Sequence, residues 1–182
     1  MALKRIHMAG FGGQGILLIG KLVAHAAMLD DKEVTWMPAY GPEMRGGTAN
    51  CTVCIDDEPI TSPVVDKCEV LIAMNGPSLE KFEHMLVPGG DLFINTNLCP
   101  NPPKRTDINV HYVDSTKIAE ETFGSAKAAN MVMLGALTEC MNEIGLEDVI
   151  SIMKHEMEKK PQLIEINEKA IRKGAELARA QL

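Results

Sequence analysis

Residues 3–29, LKRIHMAGFGGQGILLIGKLVAHAAML, decide the fold of this chain. A short mixed-apolar segment, typical of a strand, leads directly into the glycine-rich stretch Gly10–Gly15. In the following segment, Ile16–Leu29, only Lys21 and His25 interrupt a run of apolar side chains. Those two polar residues are four apart and share one helix face, so the rest of the helix is expected to be buried. Strand, glycine loop and buried helix together predict the opening of an α/β unit.

The remainder of the chain continues this pattern. Thr48–Ile55 alternates two sets of side chains and predicts a half-buried strand. Helices are predicted from Ser115 onward, and Ala126–Glu143 is rich in small residues that permit close approach to another element. The predicted fold is a single α/β domain over residues 1–182: an open, mostly parallel Rossmann-like sheet flanked by helices, with a helical C-terminal region. The other predicted strands are Glu33–Met37, closing a βαβ unit, then Val70–Met74, Leu92–Asn95 and Val110–Val113.

Composition excludes several classes of protein. The chain has 182 residues, of which 46% are hydrophobic and 24% charged, as in ordinary globular proteins. Its net charge of -7 argues against a general polyanion binder, so no nucleic acid is expected. No apolar run approaches the ~20 residues of a membrane span. With five cysteines and no secretory pattern at the N-terminus, we expect a reduced cytoplasmic protein without a membrane partner.

The glycine motif has several interpretations. Gly10, Gly12 and Gly15 match G-x-G-x-x-G, which places backbone amides beside an anion at a helix N-terminus. A dinucleotide site also needs an acidic residue at the carboxyl end of the second strand, where this chain has Trp36–Ala39. NAD or FAD is therefore disfavoured. A tight turn with close packing, a phosphate site and an interface contact all stay open.

The cysteines do not predict a metal or redox site. Cys51 and Cys54 are three apart in a predicted strand, so their thiols should point to opposite sides. The other cysteines are isolated, and the histidines lack ligand spacing. We expect this chain alone to bind no metal and no cofactor, and we assign it no catalytic residue.

A second candidate site lies at Tyr40–Gly47, YGPEMRGG. One interpretation is a surface turn with solvated charges. The other is a shaped binding loop at the carboxyl edge of the sheet, where open α/β folds bind ligands. In that interpretation Arg45 holds a phosphate or carboxylate through two hydrogen bonds, and Tyr40 stacks or donates a hydrogen bond.

Five segments occur in an order that resembles the gamma subunit of 2-oxoacid:ferredoxin oxidoreductases. The resemblance covers essentially the whole chain. It implies a multisubunit enzyme that oxidatively decarboxylates a 2-oxoacid to an acyl-CoA and passes electrons to ferredoxin. It also implies alpha and beta partner subunits, a ferredoxin-like delta subunit in some enzymes, and a complex that uses thiamine diphosphate, Mg, iron–sulfur clusters and coenzyme A. The segments are Gly10–Gly15 (GFGGQG), Tyr40–Ala49 (YGPEMRGGTA), Ile60–Pro63 (ITSP), Ala73–Asn75 (AMN) and Asn130–Gly135 (NMVMLG).

The resemblance implies that the gamma chain supports or covers an active site carried by its partners. It favours 2-oxoglutarate over pyruvate and branched-chain 2-oxoacids as the substrate. The alternatives are the small subunit of indolepyruvate:ferredoxin oxidoreductase and a standalone nucleotide- or CoA-binding module. The ligand- or interface-binding candidates are Gly10, Gly12, Gly13, Gln14, Gly15, Tyr40, Gly41, Pro42, Glu43, Met44, Arg45, Gly46 and Gly47.

Overall fold

The computed structural model describes residues 3–40 and 47–180, without the Tyr40 side chain. Six strands in this part of the chain form one sheet in the order β2-β3-β1-β4-β5-β6. The strands are β1 (Lys4–Phe11), β2 (Glu33–Tyr40), β3 (Thr48–Asp56), β4 (Cys68–Ala73), β5 (Leu86–Asn95) and β6 (Asn109–Val113).

Strand directions confirm the mostly parallel sheet. β1, β4, β5 and β6 pair in parallel with one another. β3 is antiparallel to both of its neighbours, β1 and β2, so β2 runs in the same direction as β1. The sheet therefore contains one reversed strand among the six that the structure describes.

The helices cover both faces of the sheet. Successive residues of β4 point to opposite faces: Val70 and Ile72 pack with α1 and the C-terminal helices, whereas Leu71 and Ala73 pack against α2. The helical C-terminal region predicted from the sequence is confirmed. The helices are α1 (Ile16–Leu29), α2 (Gly76–Phe82), α3 (Ser115–Phe123), α4 (Ala129–Cys140), α5 (Leu146–Glu156) and α6 (Ile164–Arg179).

The position of β3 differs from the simple βαβ unit expected at the start of the chain. β1 and β2 are connected through α1 but do not pair, because β3 lies between them. β3 is also buried on both faces rather than one. The polar residue Thr52 tolerates this burial because its hydroxyl hydrogen-bonds Nδ1 of His7, 2.9 Å away on β1. The alternating polarity of this segment predicted a half-buried strand, whereas Thr52 on its polar side is buried and paired with His7.

His7 is itself a core residue. Its ring centroid lies 4.5 Å from that of Phe82 on α2. Burial, together with the nearby Lys81 ammonium, lowers the pKa of His7 to about 4. The imidazole is therefore neutral at physiological pH.

Helices α4 and α6 approach closely at two glycines. A Cβ atom placed on Gly135 would overlap the Ile171 carbonyl and lie 3.0 Å from the Ala175 nitrogen. A Cβ on Gly174 would overlap the Val132 carbonyl in the same way. The small residues of the predicted helix Ala126–Glu143 do permit close approach, and the partner is α6.

None of the described helices has the length and apolar character that crossing a bilayer requires.

Candidate functional site

The glycine loop lies at the point where the chain connections of the sheet diverge. From β1 the chain passes through α1 to β2 on one side, and from β4 it passes through α2 to β5 on the other. The loops that follow β1 and β4 therefore meet at the carboxyl edge, where the Met74 N–H donates to the Ala9 carbonyl at 2.9 Å. Open α/β sheets bind ligands at such a switch point.

Close packing accounts for Gly10 and Gly15, and a positive φ accounts for Gly13 and Gly15. Gly15 precedes α1 with φ +73°, and a Cβ there would overlap the Asn130 side-chain amide and lie 2.9 Å from its Cγ. Gly13 has φ +98°. Gly10 is the penultimate residue of β1, and a Cβ there would lie 2.8 Å from Gln14 Oε1. Gly10 and Gly15 thus have the close packing of a tight strand-to-helix turn, which is compatible with a ligand at the same loop.

Gln14 fastens three loops of the carboxyl edge together. Its Oε1 accepts hydrogen bonds from the Phe11 N–H at 2.6 Å and from Asn75 Nδ2 at 2.8 Å. Its Nε2 donates to the Met74 carbonyl at 3.3 Å, which also accepts from Asn95 Nδ2 at 3.3 Å. We call Gln14, Asn75 and Asn95 the amide latch. The latch ties the loops after β1, β4 and β5 into one unit.

Sequence reasoning did not assign roles to the two asparagines of the latch. Asn75 follows β4, and Asn95 ends β5. The available signal was their position: each is an asparagine at the carboxyl end of a buried parallel strand. Asn95 extends the latch to α3, because its Nδ2 also donates to Thr116 Oγ1 at 2.9 Å.

The two predicted binding segments meet at one hydrogen bond. The Gly12 N–H donates to the Gly47 carbonyl at 2.8 Å, which places the end of the second segment against the glycine loop. Tyr40 ends β2 at the same edge, in register with Ala49 of β3. The other candidate residues of the second segment, Gly41, Pro42, Glu43, Met44, Arg45 and Gly46, lie outside the described residues.

Two clefts flank Gly13. The first, which we call the loop cleft, has a volume of about 260 Å³ and lies between the glycine loop, the start of α1 and Gly47–Ala49. The second, the switch cleft, has about 210 Å³ and reaches from Gln14 and Met74 to Thr116 and Lys127. Both clefts are lined by candidate binding residues predicted from the sequence, and Gly13 lines both of them.

The start of α1 gives the loop cleft its electrostatic character. Ile16 and Leu17 precede the first helical hydrogen bond, which the Ile19 N–H donates to the Gly15 carbonyl at 3.1 Å. The first turn has no acidic residue, and Gly15 supplies no side-chain cap. The amides and the helix dipole therefore favour an anionic group, and the walls formed by Leu17 and Leu18 suit an apolar one.

The geometry differs from a dinucleotide site. In the usual arrangement the second strand lies beside the first, so its acidic residue reaches the ribose of the bound nucleotide. Here β3 separates β2 from β1, and the acidic residue of β2, Glu33, is at the opposite end in register with Asp56.

All five cysteines are separate free thiols, and four of them, all but Cys140, are buried. Cys51 faces α1 and its thiol donates to the Ile16 carbonyl at 3.6 Å, whereas Cys54 belongs to the other side of β3. Burial raises the pKa of Cys51, Cys68 and Cys99 to about 12. Across residues 3–40 and 47–180, no three His, Cys, Asp or Glu side chains are grouped to hold a metal ion.

The fold and the clefts define an α/β domain with a glycine loop and two clefts at the switch point of a mixed sheet. The chain belongs to the pyruvate ferredoxin/flavodoxin oxidoreductase family, which it matches over residues 5–177. The resemblance drawn from the five sequence segments is confirmed.

Two curated relatives show how the domain occurs in other proteins. The chain is 37% identical over 182 residues to the ketoisovalerate oxidoreductase subunit VorA of Methanothermobacter marburgensis, covering 98% of this chain but only 37% of VorA. It is 35% identical over 178 residues to the 2-oxoglutarate synthase subunit KorC of Methanocaldococcus jannaschii, covering 97% of this chain and 94% of KorC.

Solved structures show the same fold. The keto/oxoacid ferredoxin oxidoreductase gamma subunit of Geobacter sulfurreducens has a TM-score of 0.82 at 28% identity, covering 97% of this chain and 99% of that one. The 2-oxoglutarate:ferredoxin oxidoreductase of Magnetococcus marinus, with 2-oxoglutarate, coenzyme A and succinyl-CoA bound, has a TM-score of 0.89 at 27% identity. That match covers 98% of this chain and 31% of the Magnetococcus chain.

Proposed function

We propose that this chain is the gamma subunit of a multisubunit 2-oxoacid:ferredoxin oxidoreductase. In that role it supports or covers an active site formed by partner subunits, beside the approach of coenzyme A. The observation that carries the proposal is the hydrogen bond from Gly12 to Gly47, which joins two segments of the family resemblance at the switch point. Family membership and the named relatives support it.

The loop cleft supports a role in binding. Its backbone N–H groups at the start of α1 suit an anionic group, and its aliphatic walls suit an apolar chain. Coenzyme A has both kinds of group, and it is bound in the Magnetococcus enzyme. We propose that the glycine loop and Tyr40–Gly47 contact this ligand or the neighbouring subunit.

The other cofactors are proposed to belong to the partners. Thiamine diphosphate, Mg and the iron–sulfur clusters would be held by alpha, beta and, where it exists, a ferredoxin-like delta subunit, with ferredoxin as the electron acceptor. The isolated chain is then expected to be colourless and to reduce no viologen dye with any 2-oxoacid. A stoichiometric absorbance near 400 nm in the pure chain, the signature of a bound cluster, would contradict this assignment.

We propose 2-oxoglutarate as the first substrate to test. KorC, named for 2-oxoglutarate synthase, is matched over 94% of its length. VorA, named for ketoisovalerate oxidoreductase, has comparable identity over a third of its length. Assays of the assembled enzyme with 2-oxoglutarate, pyruvate, 2-oxoisovalerate and indolepyruvate distinguish these substrates.

Co-purification from the native source tests the assignment. We expect stable association with at least two larger chains, one of which carries iron. Recovery of the chain as a free ~20 kDa monomer that binds a nucleotide would instead support the standalone binding module.

Arg45 provides a test of the second segment. From its sequence context we expect Arg45→Ala to leave the chain folded and to weaken assembly or raise the KM for coenzyme A about ten- to a hundredfold. Arg45→Lys keeps the charge but loses the planar pair of donors, so its assembly and KM should be intermediate between those of the unmodified chain and Arg45→Ala. Lys104→Ala is the matched control, because Lys104 is an exposed cation in the connection from β5 to β6. Unchanged assembly and KM in Arg45→Ala would reduce Arg45 to a solvated loop charge.

A further inference from the structure

Asn95 is a buried amide that lies behind the switch cleft. It ends β5, exposes 0% of its surface, and is not one of the residues that line the cleft. The preceding residues Leu92 and Ile94 are buried and apolar, as is usual for a strand of a parallel sheet. A buried amide is favourable only where its polar atoms are hydrogen-bonded, so the partners of Asn95 indicate what an amide does at this position.

The side chain of Asn95 connects two parts of the cleft lining. Its Nδ2 donates to the Met74 carbonyl at 3.3 Å and to Thr116 Oγ1 at 2.9 Å. Its Oδ1 accepts from the Thr116 N–H at 3.4 Å. Met74 and Thr116 both line the switch cleft, and they come from different elements, the loop after β4 and the start of α3. Both hydrogens of the amide nitrogen are therefore used to join these two elements.

The loop after β5 holds the start of α3 at further points. Asn97 Oδ1 accepts from the Lys117 N–H at 3.1 Å, and Thr96 hydrogen-bonds Asp114. These bonds matter because Asp114, the N-cap residue of α3, supplies no side-chain cap to the free amides of the first turn. Asn95 extends this hold on α3 to Met74 on the other side of the cleft lining.

Met74 connects Asn95 to the glycine loop. The Met74 carbonyl also accepts from Gln14 Nε2 at 3.3 Å, and Gln14 Oε1 accepts from the Phe11 N–H at 2.6 Å. Loss of the Asn95 amide would therefore leave the Met74 carbonyl and Gln14 free to shift relative to Thr116. Such a shift changes the width of the switch cleft and the shape of the glycine loop together.

We propose that Asn95 is a positioning residue for the binding of coenzyme A. It fixes the separation between Thr116 and the pair Gln14 and Met74, and so holds the glycine loop in the shape that receives the ligand. Because Asn95 is enclosed, it acts through these neighbours and does not contact the ligand itself. This inference rests on the proposed function, in which the glycine loop contacts coenzyme A.

The test uses the full chain assembled with its alpha- and beta-type partners and measures kcat and the KM for each substrate. Asn95→Ala should raise the KM for coenzyme A about tenfold, because the cleft loses the hydrogen bonds that fix its width. The kcat at saturating coenzyme A should change less than twofold. The KM for the 2-oxoacid should also change less than twofold, since that substrate is proposed to bind at the active site of the partners.

Asn167→Ala is the matched control. Asn167 on α6 is likewise a buried asparagine, 7% exposed, and its Nδ2 donates to a backbone carbonyl, that of Leu163, at 2.8 Å. Its replacement should destabilise the isolated chain in urea titrations, as Asn95→Ala should, but leave the KM for coenzyme A within twofold of that of the unmodified complex.

Thr116→Val provides a second variant that does not depend on the folding of Asn95→Ala. It removes the hydroxyl that accepts from Asn95 at a side chain that is only partly buried, so the chain should fold normally. It should raise the KM for coenzyme A, and Thr116→Ser, which keeps the hydroxyl, should not. In an Asn95→Ala background, Thr116→Val should add less than twofold, because the hydrogen bond that it breaks is already absent. Two effects that multiply would show that Thr116 acts independently of Asn95 and would contradict the proposal.

The outcomes separate this inference from the proposed function. Failure of the unmodified chain to assemble, or an assembled complex without turnover that depends on coenzyme A, would refute the proposed function. With an active unmodified complex, an unchanged KM for coenzyme A in Asn95→Ala and Thr116→Val would overturn the positioning role alone. An equal rise in KM for Asn95→Ala and Asn167→Ala would overturn it as well, since a general loss of stability would then account for the change. A fall in kcat with no change in KM would have the same meaning.

Discussion

The contact between Gly15 and Asn130 can be measured as a free energy. Gly15→Ala should destabilise the chain for two reasons. Its φ of +73° costs an alanine roughly 1–2 kcal/mol. The new methyl group would also lie 2.9 Å from Asn130 Cγ, well inside the ~3.5–4 Å of a normal carbon–carbon contact. Displacing a buried side chain in this way adds about 1–3 kcal/mol.

Gly124 is the matched control for this substitution. It has φ +70°, and a Cβ there would meet nothing within 4 Å. Gly124→Ala therefore reports the backbone cost alone, and Gly15→Ala should exceed it by the cost of displacing Asn130. In an Asn130→Ala background that excess should disappear, because the obstructing amide is gone. Urea unfolding followed by circular dichroism measures the free energy of unfolding of the four variants, which are Gly15→Ala, Gly124→Ala, Asn130→Ala and the double variant of Gly15→Ala with Asn130→Ala. Equal losses for Gly15→Ala and Gly124→Ala, or an excess that persists without Asn130, would refute this account of the loop.

Gly135→Ala should lower the free energy of unfolding by about 1–3 kcal/mol in urea titrations, because α6 blocks the new methyl group. Gly76→Ala is the control: its new methyl group would have no atom closer than 3.6 Å, so the substitution should be neutral or stabilising. His7 has a folded-state pKa of about 4, below its ordinary value of 6.5, so the unfolded chain binds the proton more strongly. The contribution of His7 to the free energy of unfolding is complete above pH 6.5 and is lost as the pH falls toward 4, by up to about 3 kcal/mol. A His7→Gln variant should therefore lose less stability than the unmodified chain between pH 7 and 4.5. Parallel stability profiles of the two proteins over this range would contradict this. In thiol labelling at pH 8 followed by mass spectrometry, Cys140, which is partly exposed, should react first, and Cys51 should react only on unfolding.

The sequence predicted β1, the glycine loop and α1 well because their signals were local. A strand, a glycine turn and an apolar helix are each specified by neighbouring residues, and the structure has all three in place. The position of β3 was not predictable in the same way. β3 pairs with β2 across a short connection, but nothing local in Thr48–Asp56 shows that its other edge pairs with β1, which is distant in the sequence.

The candidate site was predicted in part for the same reason. The glycines were found because turns and close packing require that residue type at fixed spacing. The amide latch was missed because Asn75 and Asn95 acquire their roles only when the loops after β4 and β5 meet Gln14.

The reversed strand has a consequence for how the site responds to substitution. Because β3 is hydrogen-bonded along both edges, the ends of the segment between β2 and β3 are held in register by Tyr40–Ala49 on one side and Phe11–Thr48 on the other. Backbone pairing at both ends should keep β1, β2 and β3 in register when a side chain between those ends is substituted. Substitutions at positions 41–46, such as Arg45→Ala, should therefore report on what this edge of the protein contacts and leave the strand pairing unchanged.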